Sequence, residues 1–213
     1  MKPKEIDNLL FEHLGSFLKE QGFKTVKKET WFVKQINGID FCISFTHLDK
    51  RPEYNYRFIL GIFIQEVGDI KCKSEEGREE YIGKFSGYTY ILPFSYFINP
   101  DDYIQKNPEW IISNEADVYS MITDVKDFYE KHLDTFIQNH STLETFYHVM
   151  EKDVDTGKAY TIDENVFARS LIILKLLKSN KFESKLTEYR EKLQKSGYDK
   201  SMYIDMFNYI EKL

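Results

Sequence analysis

Residues 39–45 read Ile-Asp-Phe-Cys-Ile-Ser-Phe and residues 54–64 read Tyr-Asn-Tyr-Arg-Phe-Ile-Leu-Gly-Ile-Phe-Ile. Every second side chain is apolar, first Ile39, Phe41, Ile43 and Phe45, then Tyr54, Tyr56, Phe58, Leu60, Ile62 and Ile64. Successive strand residues point to opposite faces of a sheet, so the spacing marks two strands that share one buried face. Upstream, residues 24–36 carry Val26, Trp31, Phe32, Val33 and Ile36, and Asn37-Gly38 then supplies a two-residue hairpin turn. Downstream of residue 48, Asp49-Lys50-Arg51-Pro52-Glu53 reads as a polar turn, which continues the pair as a meander. Ile59, Gly61 and Phe63 make the other face of 54–66 apolar as well, so this third strand is expected at the centre of the sheet. A fourth strand is expected over about 81–92, broken by Gly83 and Gly87, after an exposed charged loop from Lys71 to Glu80.

Helices flank this sheet in the sequence. Residues 4–21 place Ile6, Leu9, Leu10, His13, Leu14, Phe17 and Leu18 at helical spacing, and Gly22 closes them as a left-handed cap. Pro93, Pro100 and Pro108, with Asp101-Asp102 and Asn114, break regular structure over 93–115. From Glu115 one apolar stripe runs through Val118, Met121, Ile122, Val125, Phe128, Tyr129, His132, Leu133 and Phe136. Shorter helices are predicted at about 141–152, 164–179, 181–195 and 199–212, with Ser141 and Asp163 as caps. The 164–179 helix leaves little polar surface and belongs in the middle of its lobe. The expected fold class is α+β: an N-terminal helix, a four-stranded antiparallel meander sheet covered by helices, then an all-helical C-terminal lobe. The expected domains are 1–137 and 138–213, packed as one unit.

With 42% hydrophobic residues, 30% charged residues and 34 aromatics among 213 residues, the composition is that of a globular chain. A net charge of −6, with five Arg among 29 basic residues, argues against a nucleic-acid partner, whose phosphates call for a basic, Arg-rich surface. It suits a basic protein partner. Cys42 and Cys72 stand alone without C-x-x-C spacing, so reduced thiols are expected. The N-terminus lacks the apolar core of a signal peptide, and the apolar run Phe58 to Ile64 is too short to span a bilayer. The expectation is a cytoplasmic protein with no membrane partner.

No motif for a metal, cofactor or nucleophile emerges. Asp153-Val154-Asp155-Thr156-Gly157 with Glu164 resembles a calcium loop, but counting from Asp153 displaces a ligand and the required glycine, and a polar interhelical loop is the better reading. His13, His47, His132, His140 and His148 form no helical metal pair, though His13 and His132 lie on two apolar stripes that could share a sheet face. Gly83-Lys84-Phe85-Ser86-Gly87 lacks the spacing of a phosphate loop. Tyr56, Phe58, Tyr88 and Tyr90 could stack bases if exposed, but the same alternation buries a sheet against helices. No metal, cofactor or catalytic residue is therefore assigned. The acidic clusters Glu75, Glu76, Glu79, Glu80 and Asp101, Asp102 are the candidates for meeting a basic protein.

The order of amphipathic helix, Gly22-Phe23-Lys24, Trp31-containing strand, Asn37-Gly38 hairpin and Tyr/Phe-rich meander resembles small bacterial α+β proteins of the domain-of-unknown-function type, some of them regarded as immunity proteins of toxin systems. The likeness covers about the first 137 residues and carries no site residues across. It implies a non-enzymatic intracellular binding protein that neutralises a basic partner. The alternative expectation is an enzyme or small-ligand binder with its pocket between the sheet and the helical lobe.

Overall fold

The structure, a computed structural model, describes residues 1–75, 77–98, 108–156, 164–195 and 201–213. Helix α1 covers residues 3–20 and consists of Pro3–Leu9, a π-helical turn Leu10–Leu14, and Gly15–Glu20. Strands β1 (Lys24–Val26), β2 (Trp31–Ile36), β3 (Ile39–Lys50) and β4 (Glu53–Ile64) follow. The chain then forms α2 (Gln65–Lys73), β5 (Tyr90–Pro93), α3 (Phe94–Ile98) and β6 (Trp110–Ile112). Helix α4 covers residues 115–139, again through a π-helical turn, Tyr129–Leu133. Helices α5 (Leu143–Asp155), α6 (Glu164–Leu176), α7 (Phe182–Lys195) and α8 (Ser201–Glu211) complete the chain.

Among the described residues the sheet has six strands in the order β1-β2-β3-β4-β5, with β6 also paired to β4. The first expected strand is split in two, because Lys27–Glu29 form a 3₁₀ turn and Thr30 takes a left-handed conformation. Asn37 and Gly38 both have positive φ, as the tight hairpin requires, and Phe32 pairs with Ile43 and Val33 with Cys42 across it. The fourth expected strand forms only at Tyr90–Pro93, since Gly83 and Gly87 adopt positive φ that no strand residue holds. The expected loop at Lys71–Glu80 begins inside α2 instead. That helix closes through the i,i+4 pairs Gln65–Asp69 and Lys71–Glu75 and buries Val67 and Cys72. The cap of α5 is Thr142 rather than Ser141, its hydroxyl accepting from the Thr145 amide at 3.2 Å. Asp163 lies outside the described residues.

The chain divides into two compact units, Met1–Ile62 with Ile91–His140, and Phe63–Tyr90 with Ser141–Leu213. In the first unit α1 and α4 bury Leu10, Leu14, Val118, Met121 and Val125, and Phe32, Phe41, Phe45, Tyr56 and Phe58 of the sheet are buried as well. Aromatic contacts tie the layers, Phe11 to Phe32 at 5.8 Å and Phe94 stacked on Phe128 at 4.3 Å. Both long helices space their buried residues by four: Ile6, Leu10, Leu14, Leu18, then Met121, Val125, Tyr129, Leu133, Ile137. On an unbroken α-helix a spacing of four turns the stripe by about 40° at each step. The wider π turns take up that excess and keep every one of these residues on the core. In the second unit α6 is the central helix, packed by α2, α5, α7 and α8.

Candidate functional site

The sequence-predicted acidic residues take different surroundings. The Glu75 side chain is only 11% exposed and pairs with both Lys71 and Arg78, whose guanidinium also lies 4.7 Å from the Tyr81 ring centre. Glu79 and Glu80 are exposed on a 3₁₀ turn, while Glu76, Asp101 and Asp102 lie outside the described residues. Lys71, Glu75 and Arg78 line an open cleft of about 600 Å³ with Ser74, Asn165, Ser201 and Asp205, all in the second unit. Two cations and two carboxylates offset one another there, so Glu75 presents no free negative charge.

Unbalanced acid lies on the two long helices of the first unit. Residues 3–20 hold Glu5, Asp7, Glu12 and Glu20 against Lys4 and Lys19. Residues 115–139 hold Glu115, Asp117, Asp124, Asp127, Glu130 and Asp134 against Lys126 and Lys131. Ten acids against four lysines is an excess of six, equal to the formal net charge of −6, so the rest of the chain is balanced. Burying the apolar stripes on the sheet turns Glu5, Glu12, Glu20, Glu115, Asp124, Asp127 and Glu130 outward to solvent. Some are engaged: Asp124 accepts the Trp110 indole N–H at 3.0 Å, Asp127 pairs with Lys131, and Asp117 closes the capping box with Asn114. Among the described residues Glu12, Glu115 and Glu130 make no ion pair.

An aromatic side chain stands among these carboxylates. Tyr119 is 40% exposed, one turn along from Glu115, and its ring meets His13 of α1 at 5.3 Å. Partial desolvation, then Glu115 and Glu12, push its hydroxyl above the ordinary phenol value. The arrangement is a rigid helical surface with a half-exposed tyrosine rimmed by negative charge. Counting charge by segment in the sequence would have pointed to α4; the choice of Tyr119 needs the packing, which decides which aromatics stay outside.

The other sequence motifs are accounted for by packing. Asp153 is buried and accepts from the Tyr90 hydroxyl at 2.9 Å, and Asp155 is held by Lys185 at 2.7 Å, so the first two oxygens of the calcium-like stretch are committed to the protein. Residues 157–163 lie outside the described residues. His13 and His132 are not brought together: His132 meets Phe128 at 4.9 Å, and the 13 positions from Tyr119 to His132 span about 20 Å of helix. His47 stacks on Tyr56 at 5.3 Å. In the glycine-rich loop the Gly83 amide donates to Asp69 at 2.7 Å, the kind of acceptor a phosphate would replace. Tyr56, Phe58 and Tyr90 are buried. Among the described residues no group of three or more His, Cys, Asp or Glu side chains could hold a metal ion, and no helix is long and apolar enough to cross a membrane. Cys42 and Cys72 are free and buried. Comparisons with family models, curated proteins and solved structures find no match to this chain.

Proposed function

We propose that this chain is a binding protein that neutralises a basic protein partner, in the manner of an immunity protein, through the outer surface of α1 and α4. The observation that carries the reading is that these two helices hold an acid excess equal to the whole net charge, with Glu115 and Glu12 acting on the half-exposed Tyr119. A one-signed surface accelerates association with an oppositely charged partner, and a partly exposed tyrosine on a rigid helix is the kind of anchor that interfaces bury. Glu79 and Glu80 belong to the other unit and serve as an internal control.

The test is binding of purified basic proteins encoded next to this chain, read by calorimetry at low and physiological salt. A specific complex that weakens with salt, that Glu12→Lys/Glu115→Lys/Glu130→Lys abolishes, and that Glu79→Lys/Glu80→Lys leaves intact is the expected result. Binding that survives the triple reversal, or no binding by any such basic protein, would overturn the reading.

A further inference from the structure

A second cleft in the helical unit has a different character. It encloses about 480 Å³ between the first half of α5 and the α6–α7 turn. Tyr147, Leu174 and Leu177 line its apolar part, with Tyr147 and Leu174 almost fully buried. Glu144 lines it from α5, and Lys178 and Asn180 line it from the turn that follows α6. His148 and Lys181 also reach the rim, but both are drawn to Glu151, at 3.5 and 3.1 Å. Partial burial works against Glu151 ionising, yet Lys181, Lys185 and His148 outweigh it and hold that carboxyl below its ordinary value. By contrast, the side chains of Glu144, Lys178 and Asn180 have no hydrogen bond or ion pair among the described residues.

Lys178 also occupies an unfavourable backbone position. Its φ is +50°, and it follows the end of α6, where the Ser179 amide reaches back to the Leu174 carbonyl at 3.0 Å. That closing turn ordinarily holds glycine, because a β-carbon is strained in the left-handed region. A lysine is kept there all the same, without a side-chain partner among the described residues and on the lining of the cleft.

We propose that this cleft binds a free α-amino acid with an apolar side chain, its ammonium facing Glu144, its carboxylate facing Lys178 and the Asn180 amide, and its side chain on Leu174, Leu177 and Tyr147. The volume suits a small ligand, and an acid from one helix and a base from the turn after another match a zwitterion better than a simple anion or cation. The site lies in the other unit from the acidic helices and is independent of the protein-binding reading.

The test is titration of leucine and phenylalanine into the full chain, followed by NMR shifts of the residues lining the cleft. Isoamylamine, 4-methylvalerate and glycine serve as ligands that each lack one of the three recognised groups. Leucine is expected to bind about tenfold or more tighter than any of them. Lys178→Gly is expected to unfold at higher temperature than the natural chain while binding leucine about tenfold more weakly, a combination that loss of folding cannot produce. Glu144→Gln is expected to weaken leucine without weakening 4-methylvalerate. No shift at tens of millimolar leucine, glycine binding as well as leucine, or Lys178→Gly binding leucine like the natural chain would overturn the proposal.

Discussion

Tyr56→Phe should cost stability by an amount that depends on pH. The Tyr56 ring is fully buried in β4, and its hydroxyl donates to the Asp7 carboxylate of α1 at 2.9 Å. Phenylalanine keeps the ring packing, so only the hydroxyl's bonding is lost, chiefly to Asp7 and, at 3.4 Å, to the Pro3 carbonyl. Bonds to charged groups contribute about 1.5–3 kcal/mol, and the half-buried Asp7 regains some water, which places the cost near 1.5 kcal/mol at neutral pH. Burial raises the Asp7 carboxyl above its ordinary value of 3.8, against the lowering effects of Tyr56 and His47. The folded chain therefore holds this proton more tightly than the unfolded one. Stability from Asp7 is present at or below the ordinary carboxylate value and is lost as pH rises through the raised one. Removing the Tyr56 hydroxyl raises Asp7 further and steepens that loss. Below the ordinary carboxylate value, where the carboxyl is protonated and a neutral bond is at stake, the cost should shrink to about 1 kcal/mol or less. Asp7→Asn keeps an acceptor without the charge, so it should flatten this part of the pH profile and reduce the cost of Tyr56→Phe. Urea unfolding followed by tryptophan fluorescence is the assay, because Trp31 and Trp110 are the only tryptophans and both belong to the first unit. Equal costs below the ordinary carboxylate value and at neutral pH, unchanged in the Asp7→Asn background, would refute the reasoning.

Two further substitutions probe the packing. Tyr90→Phe removes the 2.9 Å donor to the buried Asp153 and should destabilise the helical unit by about 2 kcal/mol, measured by urea unfolding followed at 222 nm because that unit has no tryptophan. Gly15→Ala, which in an exposed helix would gain about 1 kcal/mol, should fail to stabilise, since the new β-carbon would stand 3.3 Å from the buried Phe32 ring and 3.4 Å from the Thr25 hydroxyl; a raised melting temperature would count against the close packing of α1 on the sheet.

The strand pair at 39–64 was legible because period 2 is a local property: Phe41, Ile43, Phe58 and Leu60 announce their face without any tertiary information, and all are buried. The four C-terminal helices, the Asn37-Gly38 turn and the Gly22 cap were legible for the same reason. Strand β5 and helix α2 are less legible, because two local signals compete there. The Tyr and Ile residues of 81–92 favour a strand, but Gly83 and Gly87 take up positive φ, and Asp69 and Gln65 clamp the loop instead. The π turns left a trace that a 3.6-residue template passes over, the strict four-residue spacing of Leu10, Leu14 and Leu18 and of Val125, Tyr129 and Leu133.

Acidic density was a poorer guide than acidic balance. Glu75 and Glu79-Glu80 form a dense local run, yet Lys71 and Arg78 lie within four residues of Glu75 and fold back onto it. The carboxylates of α4 are spread at intervals that look unremarkable along the chain, and burial of the apolar stripe leaves Glu115, Asp124, Asp127 and Glu130 exposed. Density measures which charges are neighbours in sequence; a partner meets only those that packing leaves outside and that no lysine has already neutralised. By that measure Glu12, Glu115 and Glu130 weigh more than the acidic pairs at 75–80, although no two acids are adjacent anywhere in their segments.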